Sequence, residues 1–378
     1  MIGNVVLLLG GLICGAWLLN KIRPLEEDSV LFTKNDRKSL PSISVIIPAR
    51  NEERNLTQLF PSIKGQQFAP YEVIVVDDGS TDRTAAIAES FGAIVVNPGE
   101  LPDGWLGKSW ACWNGAQAAS GHLLIFLDAD TCLEDAGLAV LAEAHSKQNG
   151  LLSIQPYHKM KRPYEWLSAF FNIIVLAAVG APQTAAATKK KAVGAFGPCI
   201  VCTRESYFQT GGHEAVRERI LENYSLGLLF AEQQTVRNCS GKSVIAFRMY
   251  PEGIRQLCAG WSKSFASGAS STTTLRLLAI IWWLTGSITV VTQWLNPQIW
   301  RSSDHITIGI ISYLAYVLLI NIQLSRAGNF GFQTAFLFPI PLLFFMGIFA
   351  SSTLQTFFRR KVTWKGRSIS TMKGSGRK

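Results

Sequence analysis

Two short apolar runs that end in paired carboxylates constrain this chain most. Residues 73–82 read Val-Ile-Val-Val-Asp77-Asp78-Gly79-Ser80-Thr81-Asp82, and residues 124–130 read Leu-Ile-Phe-Leu-Asp128-Ala129-Asp130. Apolar, β-branched runs of this length fit strands buried on both faces, as in a sheet covered by helices. Open α/β sheets bind ligands beyond the carboxyl ends of their strands, where these acidic groups fall. Asp-x-Asp sets two carboxylates on one side of an extended chain, spaced to share one hard divalent cation. A cation there would neutralise a diphosphate, so a nucleotide-diphosphate compound is the ligand class these runs imply.

The surrounding pattern is consistent with that sheet. Residues 44–48 predict a first strand, 73–76 a second, 93–96 a third and 123–127 a fourth. Helical stretches open at Glu52 and at Thr81-Asp82-Arg83-Thr84, where Asp82 is the expected N-cap. Strands alternating with helices give βαβ units and a parallel sheet, hence an α/β fold.

Composition adds a membrane. Charged residues are 16% of the chain, hydrophobic ones 48%, and the mean hydropathy is +0.19; soluble domains carry roughly 25% charged residues. The apolar excess sits at the N-terminus and in the last third. Residues 2–19 have no charge and precede Lys21 and Arg23. No basic segment comes before them and no clear cleavage site follows, so a spanning anchor is favoured over a signal peptide. The following basic residues assign that side to the cytoplasm. Residues 275–295 and 306–324 are two further spans, and 332–358 a third, broken by Pro339-Ile340-Pro341. Three full crossings would put the basic tail outside, so one of them is expected to be re-entrant or interfacial. Residues 166–187 are also long and apolar, but crossing there would split the site, so they are read as an interfacial or buried helix. The expected layout is an anchor at 1–22, a catalytic domain at 40–265 containing the apolar segment 164–187, a membrane region at 274–358 and a basic cytoplasmic tail at 359–378. The net charge of +10 clusters at 21–38, 159–162, 189–191 and 359–378, beside apolar segments. That favours anionic lipid over nucleic acid, for which no motif is present. Seven scattered cysteines argue against a disulfide framework and fit a reducing cytoplasm; Cys199-Ile-Val-Cys202 reads as core packing, not zinc.

The motifs Pro48-Ala-Arg-Asn-Glu52-Glu-Arg-Asn-Leu56, Asp77-Asp78-Gly-Ser-Thr-Asp82 and Asp128-Ala-Asp130 follow strands one, two and four in order. This set resembles the family 2 inverting glycosyltransferases of the GT-A fold in their membrane-integral form. The resemblance covers about residues 43–263, and Trp364-Lys-Gly-Arg367 resembles a short motif near the tail of such enzymes. It implies a Rossmann-like, mostly parallel catalytic domain between N- and C-terminal transmembrane helices. It also implies a UDP-sugar donor (UDP-glucose in the closest pattern), a Mg2+ or Mn2+ cofactor, and a lipid acceptor. Pro48, Glu52, Asp77 and Asp78 match positions that hold the uridine, whose N–H and hydroxyl donors suit carboxylate acceptors. A tight turn is the plain alternative for Asp78-Gly79-Ser80. Lys108, in Gly104-Trp-Leu-Gly-Lys108-Ser-Trp110, would contact phosphate or uracil; the alternative is a membrane-surface loop with amphipathic tryptophans. Asp130 would ligate the metal and Asp128 contact nucleotide or sugar.

On the acceptor side, residues 194–204 and Gly211-Gly212-His213-Glu214 resemble the family's sugar-facing segment, with His213 read as a packing or hydrogen-bonding residue. Two positions depart from the pattern. Where the resemblance implies Glu-Asp with the aspartate as general base, this chain has Glu222-Asn223. Either Glu222 takes the base role, with Glu214 nearby, or the acceptor needs none. A carboxylic acid is already ionised at pH 7, whereas a hydroxyl must lose a proton. In Gln256-Leu-Cys-Ala-Gly260-Trp261-Ser-Lys263, Gly260 replaces an arginine. Trp261 would floor the acceptor site, Gln256 close over the diphosphate and Lys263 supply positive charge; a juxtamembrane aromatic anchor is the alternative. The catalytic set is thus Glu222, Asp128 and Trp261. The motif order is most similar to family members that glucosylate a C30 carotenoid acid. Hopanoid- and ceramide-type lipid glucosyltransferases are the runners-up. A polysaccharide synthase and a non-catalytic sugar-nucleotide-binding membrane protein represent other classes.

Overall fold

The two apolar runs lie side by side with the first strand in the middle of a seven-stranded sheet. The computed structural model describes residues 2–20, 23–25, 41–179, 194–270, 272–359, 361–364 and 367–370. The strands are β1 (Ile43–Ala49), β2 (Glu72–Asp77), β3 (Ile94–Val96), β4 (Leu123–Leu127), β5 (Thr131–Leu133), β6 (Leu151–Gln155), β7 (Tyr157–His158), β8 (Cys199–Thr203), β9 (Val236–Ser240) and β10 (Ile245–Phe247). The main sheet runs β3-β2-β1-β4-β8-β6-β9. Neighbours are parallel except for β8, which is antiparallel to both β4 and β6. The mostly parallel α/β class expected from the sequence is therefore the one found. A small second sheet, β5-β10-β7, continues from the end of β4.

The alternation of side chains along each strand builds two cores. Val45, Ile47, Ile125 and Leu127 pack under Leu56, Leu59, Phe60 and Ile63 of helix Glu53–Lys64. Ile46, Val76, Leu124 and Phe126 face Ala111, Cys112 and Ala116 of helix Gly107–Ala118. Cys199 belongs to the first core and Cys202 to the second, so the CxxC pair points to opposite faces and cannot share a metal. All seven cysteines are free thiols. Chain order reverses at β1, with β2 on one side and β4 on the other, and the register sets Ala49 beside Asp77 and Ile46 beside Phe126. The crevice beyond those strand ends is where such a sheet opens to a ligand.

A third core joins the apolar helices Ile2–Leu19, Ala169–Val179, Thr274–Thr292, Ser303–Ala327 and Pro339–Arg359. Two helices, Thr274–Leu295 and Ser303–Ala327, are long and apolar enough to cross a membrane; Gly3–Leu19, Pro163–Val179 and Pro339–Thr353 are shorter. The first helix makes close small-residue contacts: a Cβ on Gly11 would lie 2.9 Å from the Gly286 Cα. Helix Ser303–Ala327 holds it with polar side chains. Tyr316 Oη donates to the Leu8 carbonyl at 2.9 Å, Gln323 Nε2 to Gly15 at 3.1 Å and Arg326 Nη1 to Leu19 at 2.9 Å. Both numbers rise together, so these two helices run parallel. Their carboxyl ends reach the sheet, where Ser240 Oγ donates to the Arg326 carbonyl.

The proline break is real: a short helix, Gly331–Phe336, ends and the next begins at Pro339, where a missing N–H costs no helical bond. That last helix folds back along helix Ile254–Ser270, and Ser352 Oγ donates to the Ser262 carbonyl at 2.8 Å. Helix Ala169–Val179 is almost wholly buried in the bundle. Strands Lys361–Trp364 and Arg367–Ser370 pair as an antiparallel hairpin carrying the ends of the Trp-Lys-Gly-Arg motif. Lys365 and Gly366, residues 180–193 with Lys189–Lys191, residues 26–40, the side chain of Lys263 and the tail after residue 370 lie outside the described residues.

Candidate active site

Strand ends supply one wall after another of a polar cleft of about 350 Å3. Pro48, Ala49, Arg50 and Glu52 follow β1, Asp78 follows β2, and Asp128, Ala129 and Asp130 follow β4; Lys108 comes from the first turn of helix Gly107–Ala118. Asp78 is buried, and Arg50 Nη1 donates to its backbone carbonyl at 2.8 Å and approaches its Oδ2 at 3.4 Å. Asp77 does a different job. Its Oδ1 accepts from the Ser80 backbone N–H at 3.0 Å and closes a turn in which Gly79 has φ +69°. Of the expected uridine-binding pair, Asp78 lines the cleft and Asp77 does not. Glu52 lines it too, and Glu52 Oε2 accepts from Asn55 Nδ2 at 2.5 Å. Asp82 accepts from the Thr84 backbone N–H at 3.0 Å, a capping bond, although the residue at the cap position is Arg83.

Lys108 is the electrostatic centre. Its Nζ lies 2.6 Å from Asp128 Oδ1 and 3.6 Å from Glu222 Oε1. Burial opposes its charge, but the two carboxylates outweigh burial and hold it above the ordinary lysine value. Asp130 has no such cation at contact distance in the described structure. Desolvation in the cleft, then repulsion from Asp128 and Glu52, push its carboxyl up to about 7. Its side chain nonetheless stays open to the cleft. A divalent cation beside Asp130 would relieve that repulsion, so the site fits the expected Mg2+ or Mn2+. Among the described residues no group of three or more His, Cys, Asp or Glu forms a metal cage. Diphosphate oxygens and water would have to complete the shell, as suits a small hard cation.

A second cavity of about 550 Å3 opens on the other side of Lys108. Its walls are apolar and come from the helix bundle, with Ile174, Ile280, Leu284, Phe345 and Phe349 among them. Glu222, Asn223 and Trp261 line its inner end. Glu222 is the sole carboxylate among the described residues lining it, and burial raises its value against the opposing charge of Lys108. Trp261 is buried, stacks on Phe171 at 4.6 Å and 17°, and donates from Nε1 to Ser168 Oγ at 3.1 Å. Gln256 lines neither cavity; its Oε1 accepts from the Glu252 backbone N–H at 3.0 Å, at the start of helix Ile254–Ser270. Glu214 is exposed on the short helix Gly212–Ala215. Lys108 is the single residue shared by the two linings.

The sequence reading missed Arg50 and Asn55 in the cleft and the bundle residues that wall the second cavity. Arg50 and Asn55 sit inside the quoted motif, so their positions were available. No local pattern links Ile174, Ile280 and Phe345, which meet through tertiary packing alone.

Residues 44–211 match the family model described as Glycosyl transferase family 2. Across 95% of its length and 95% of theirs, the chain is 36% identical to the 4,4'-diaponeurosporenoate glycosyltransferases of Staphylococcus aureus strains MRSA252 and USA300. A solved mannosyltransferase from Pyrobaculum calidifontis, in complex with GDP-Man and Mn2+, aligns with a TM-score of 0.54 at 15% identity, covering 94% of this chain and 97% of that one. The latter is a likeness of fold.

Proposed function

This chain belongs to glycosyl transferase family 2 and is a glycosyltransferase, and we propose that it moves glucose from UDP-glucose, with inversion, to the carboxylate of a long apolar acid held in the membrane. The name of its Staphylococcus relatives carries 4,4'-diaponeurosporenoate, and a C30 carotenoid acid of that kind is the acceptor proposed here. The observation that carries this reading is the meeting of the polar cleft and the apolar cavity at Lys108. A charged donor suits the first and a hydrocarbon tail the second, so the reacting ends would meet beside Lys108, Asp128 and Glu222.

In the proposed step the acceptor oxygen attacks the anomeric carbon from the apolar side. A bond forms from that oxygen to the carbon, the carbon–phosphate oxygen bond breaks, and its electron pair leaves with UDP. A divalent cation held by Asp130 would supply charge neutralisation to the departing diphosphate. Lys108 stabilises negative charge at the junction, a role that suits a preorganised cation in a partly dry site. Asp128 and Glu52 face donor hydroxyls, Asp78 the base or ribose, and Trp261 packs against the acceptor. A carboxylate acceptor carries no proton to remove; a hydroxyl acceptor would pass one to Glu222.

Exposed apolar side chains such as Leu275, Leu278, Ile311, Leu314 and Leu318 on the outer faces of the long helices support a membrane setting. With helices Ile2–Leu19 and Ser303–Ala327 parallel, the sheet lies on the cytoplasmic side in this reading. The last helix stays against helix Ile254–Ser270. The test is UDP release by detergent-solubilised protein with UDP-glucose and Mn2+, comparing a C30 carotenoid acid with the matching alcohol. Turnover confined to the acid supports the ester-forming reading; turnover confined to the alcohol overturns it and makes Glu222 the base.

A further inference from the structure

Behind Glu222 a row of buried polar groups runs into the core. Tyr207 and His213 are fully buried and Asn223 nearly so. The Tyr207 hydroxyl oxygen accepts the His213 backbone N–H at 3.0 Å, which leaves its own proton for His213 Nδ1 at 2.8 Å. Burial pushes His213 down to about 3, so the ring is neutral and carries a single N–H. With Nδ1 accepting, that proton sits on Nε2 and points at Asn223 Oδ1, 3.4 Å away. The amide is thereby oriented. Its Nδ2 donates to the Gly197 carbonyl at 3.3 Å and to Glu222 Oε1 at 3.0 Å. The opposite amide orientation would set N–H against N–H at His213 and oxygen against oxygen at the other end.

The backbone is shaped to allow this row. Gly211 and Gly212 have φ of +82° and +50°, and a Cβ on Gly212 would lie 2.5 Å from the Tyr207 ring. A Cβ on Gly197 would press on Asn223 Nδ2 at 3.2 Å. Phe126 of β4 packs on the His213 ring with centroids 5.2 Å apart.

We propose that Tyr207, His213 and Asn223 form a one-directional hydrogen-bond row whose last donor, the Asn223 amide, holds the Glu222 carboxylate against Lys108 at the junction of the two cavities. Tyr207, His213 and Asn223 are positioning residues in this proposal. An aspartate at 223 has no N–H to give and would set a second carboxylate against Glu222. The asparagine is therefore the donor that this arrangement requires. The proposal rests on the reading above in placing the reacting ends beside Lys108 and Glu222; the part given to Glu222 is to hold the Lys108 ammonium, 3.6 Å away, in place at the junction, with no proton transfer required of it.

Glutamine and asparagine at position 213 separate positioning from mere packing. A glutamine amide nitrogen falls near imidazole Nε2 and keeps the donor to Asn223; an asparagine nitrogen falls near Nδ1 and does not. With UDP-glucose, the acceptor that turns over and Mn2+, His213→Gln should keep kcat within about threefold, and His213→Asn should lose about tenfold or more. The donor KM should be unchanged in both, because the donor cleft lies on the far side of Lys108. Glu222→Gln is the control. If Glu222→Gln turns over like the wild type, the part given to Glu222 fails and the row fails with it. If Glu222→Gln is inactive while the two His213 variants have equal kcat, the row alone is overturned. Should His213→Asn not fold, Tyr207→Phe gives the same test: kcat falls several-fold at constant donor KM if the row operates, and unchanged kcat overturns it.

Discussion

Replacing Lys108 by methionine keeps the length of the side chain and removes the charge shared by the two cavities. The lysine stands 2.6 Å from Asp128 with side chains 23% and 27% exposed, and 3.6 Å from Glu222. At an effective dielectric of about 20 the shorter contact alone is worth roughly 6 kcal/mol before desolvation and solvent screening are subtracted. Screening at that exposure, and the desolvation already spent on the charge, leave about 2–3 kcal/mol, or about 10²-fold, for negative charge developing at the junction. Lys108→Met should therefore lower kcat by about 10²-fold in the UDP-release assay. Its effect on the cation should run the other way. Lys108 partly offsets the repulsion that acts on Asp130, so its removal should leave Asp130 more attractive to Mn2+ and tighten binding several-fold by calorimetry. Loss of turnover with gain of cation affinity is a signature that general misfolding cannot imitate. Turnover within threefold of the wild type, or Mn2+ binding weakened together with turnover, would refute the charge argument.

Three further outcomes follow from the geometry. Asp130→Asn should abolish Mn2+ binding and turnover, yet stabilise the metal-free protein at alkaline pH. Desolvation in the cleft and like charges raise the Asp130 value from 3.8 to about 7, so the folded state holds an extra proton in that window and stability declines as pH rises through it, by less than a fully buried carboxyl would give because the side chain is open to the cleft; thermal melts at pH 5 and pH 8 should show that decline in the wild type and its reduction in the variant. Ile280→Trp, on the wall of the apolar cavity, should raise KM for a long acceptor about tenfold and leave the donor KM unchanged, as read from initial rates. Gly11→Val should lower the melting temperature by several degrees, because a Cβ there already meets Tyr316 Oη at 2.2 Å and the Gly286 Cα at 2.9 Å; an unchanged melt would mean that the first helix is not packed in the bundle.

The polar half of the site was legible in the chain because each of its parts lies within a few residues of a strand end. Residues 73–76 and 123–127 are short, continuous apolar runs of the kind that buried strands show, and the acidic groups follow at once. Asp77 shows the limit of that reading. It is chemically identical to Asp78, but the register with Ala49 turns its carboxylate to Ser80 and not to the cleft. Gln256 shows a similar limit: its amide oxygen accepts from the Glu252 backbone N–H at a helix start, a local bond that the motif does not announce. The antiparallel β8 was not foreseen either: Cys199–Thr203 is a short apolar run like β4, and strand direction leaves no mark in composition. The apolar cavity was hardest to read. Its walls come from helices far apart in the chain, and each wall residue looks like any other lipid-facing or core position until the helices are packed.

Asn223 narrows what the junction can do without disabling it. A hydroxyl acceptor entering from the bundle must give up a proton, and among the described residues lining the apolar cavity only Glu222 can take it. That carboxylate is already engaged, accepting from Asn223 Nδ2 at 3.0 Å with Lys108 Nζ at 3.6 Å. Both contacts favour its ionised form and reduce its appetite for a proton, whereas burial acts the other way and prevails. A carboxylic acid avoids the contest. It arrives ionised, attacks without proton transfer, and needs from the protein only a counter-charge and a dry channel for its tail. Lys108 supplies the first and the bundle cavity the second. An alcohol would instead depend on the balance at Glu222, where burial raises the carboxyl and Lys108 lowers it, so its proton would have to pass to a group that the neighbouring lysine favours in its ionised form.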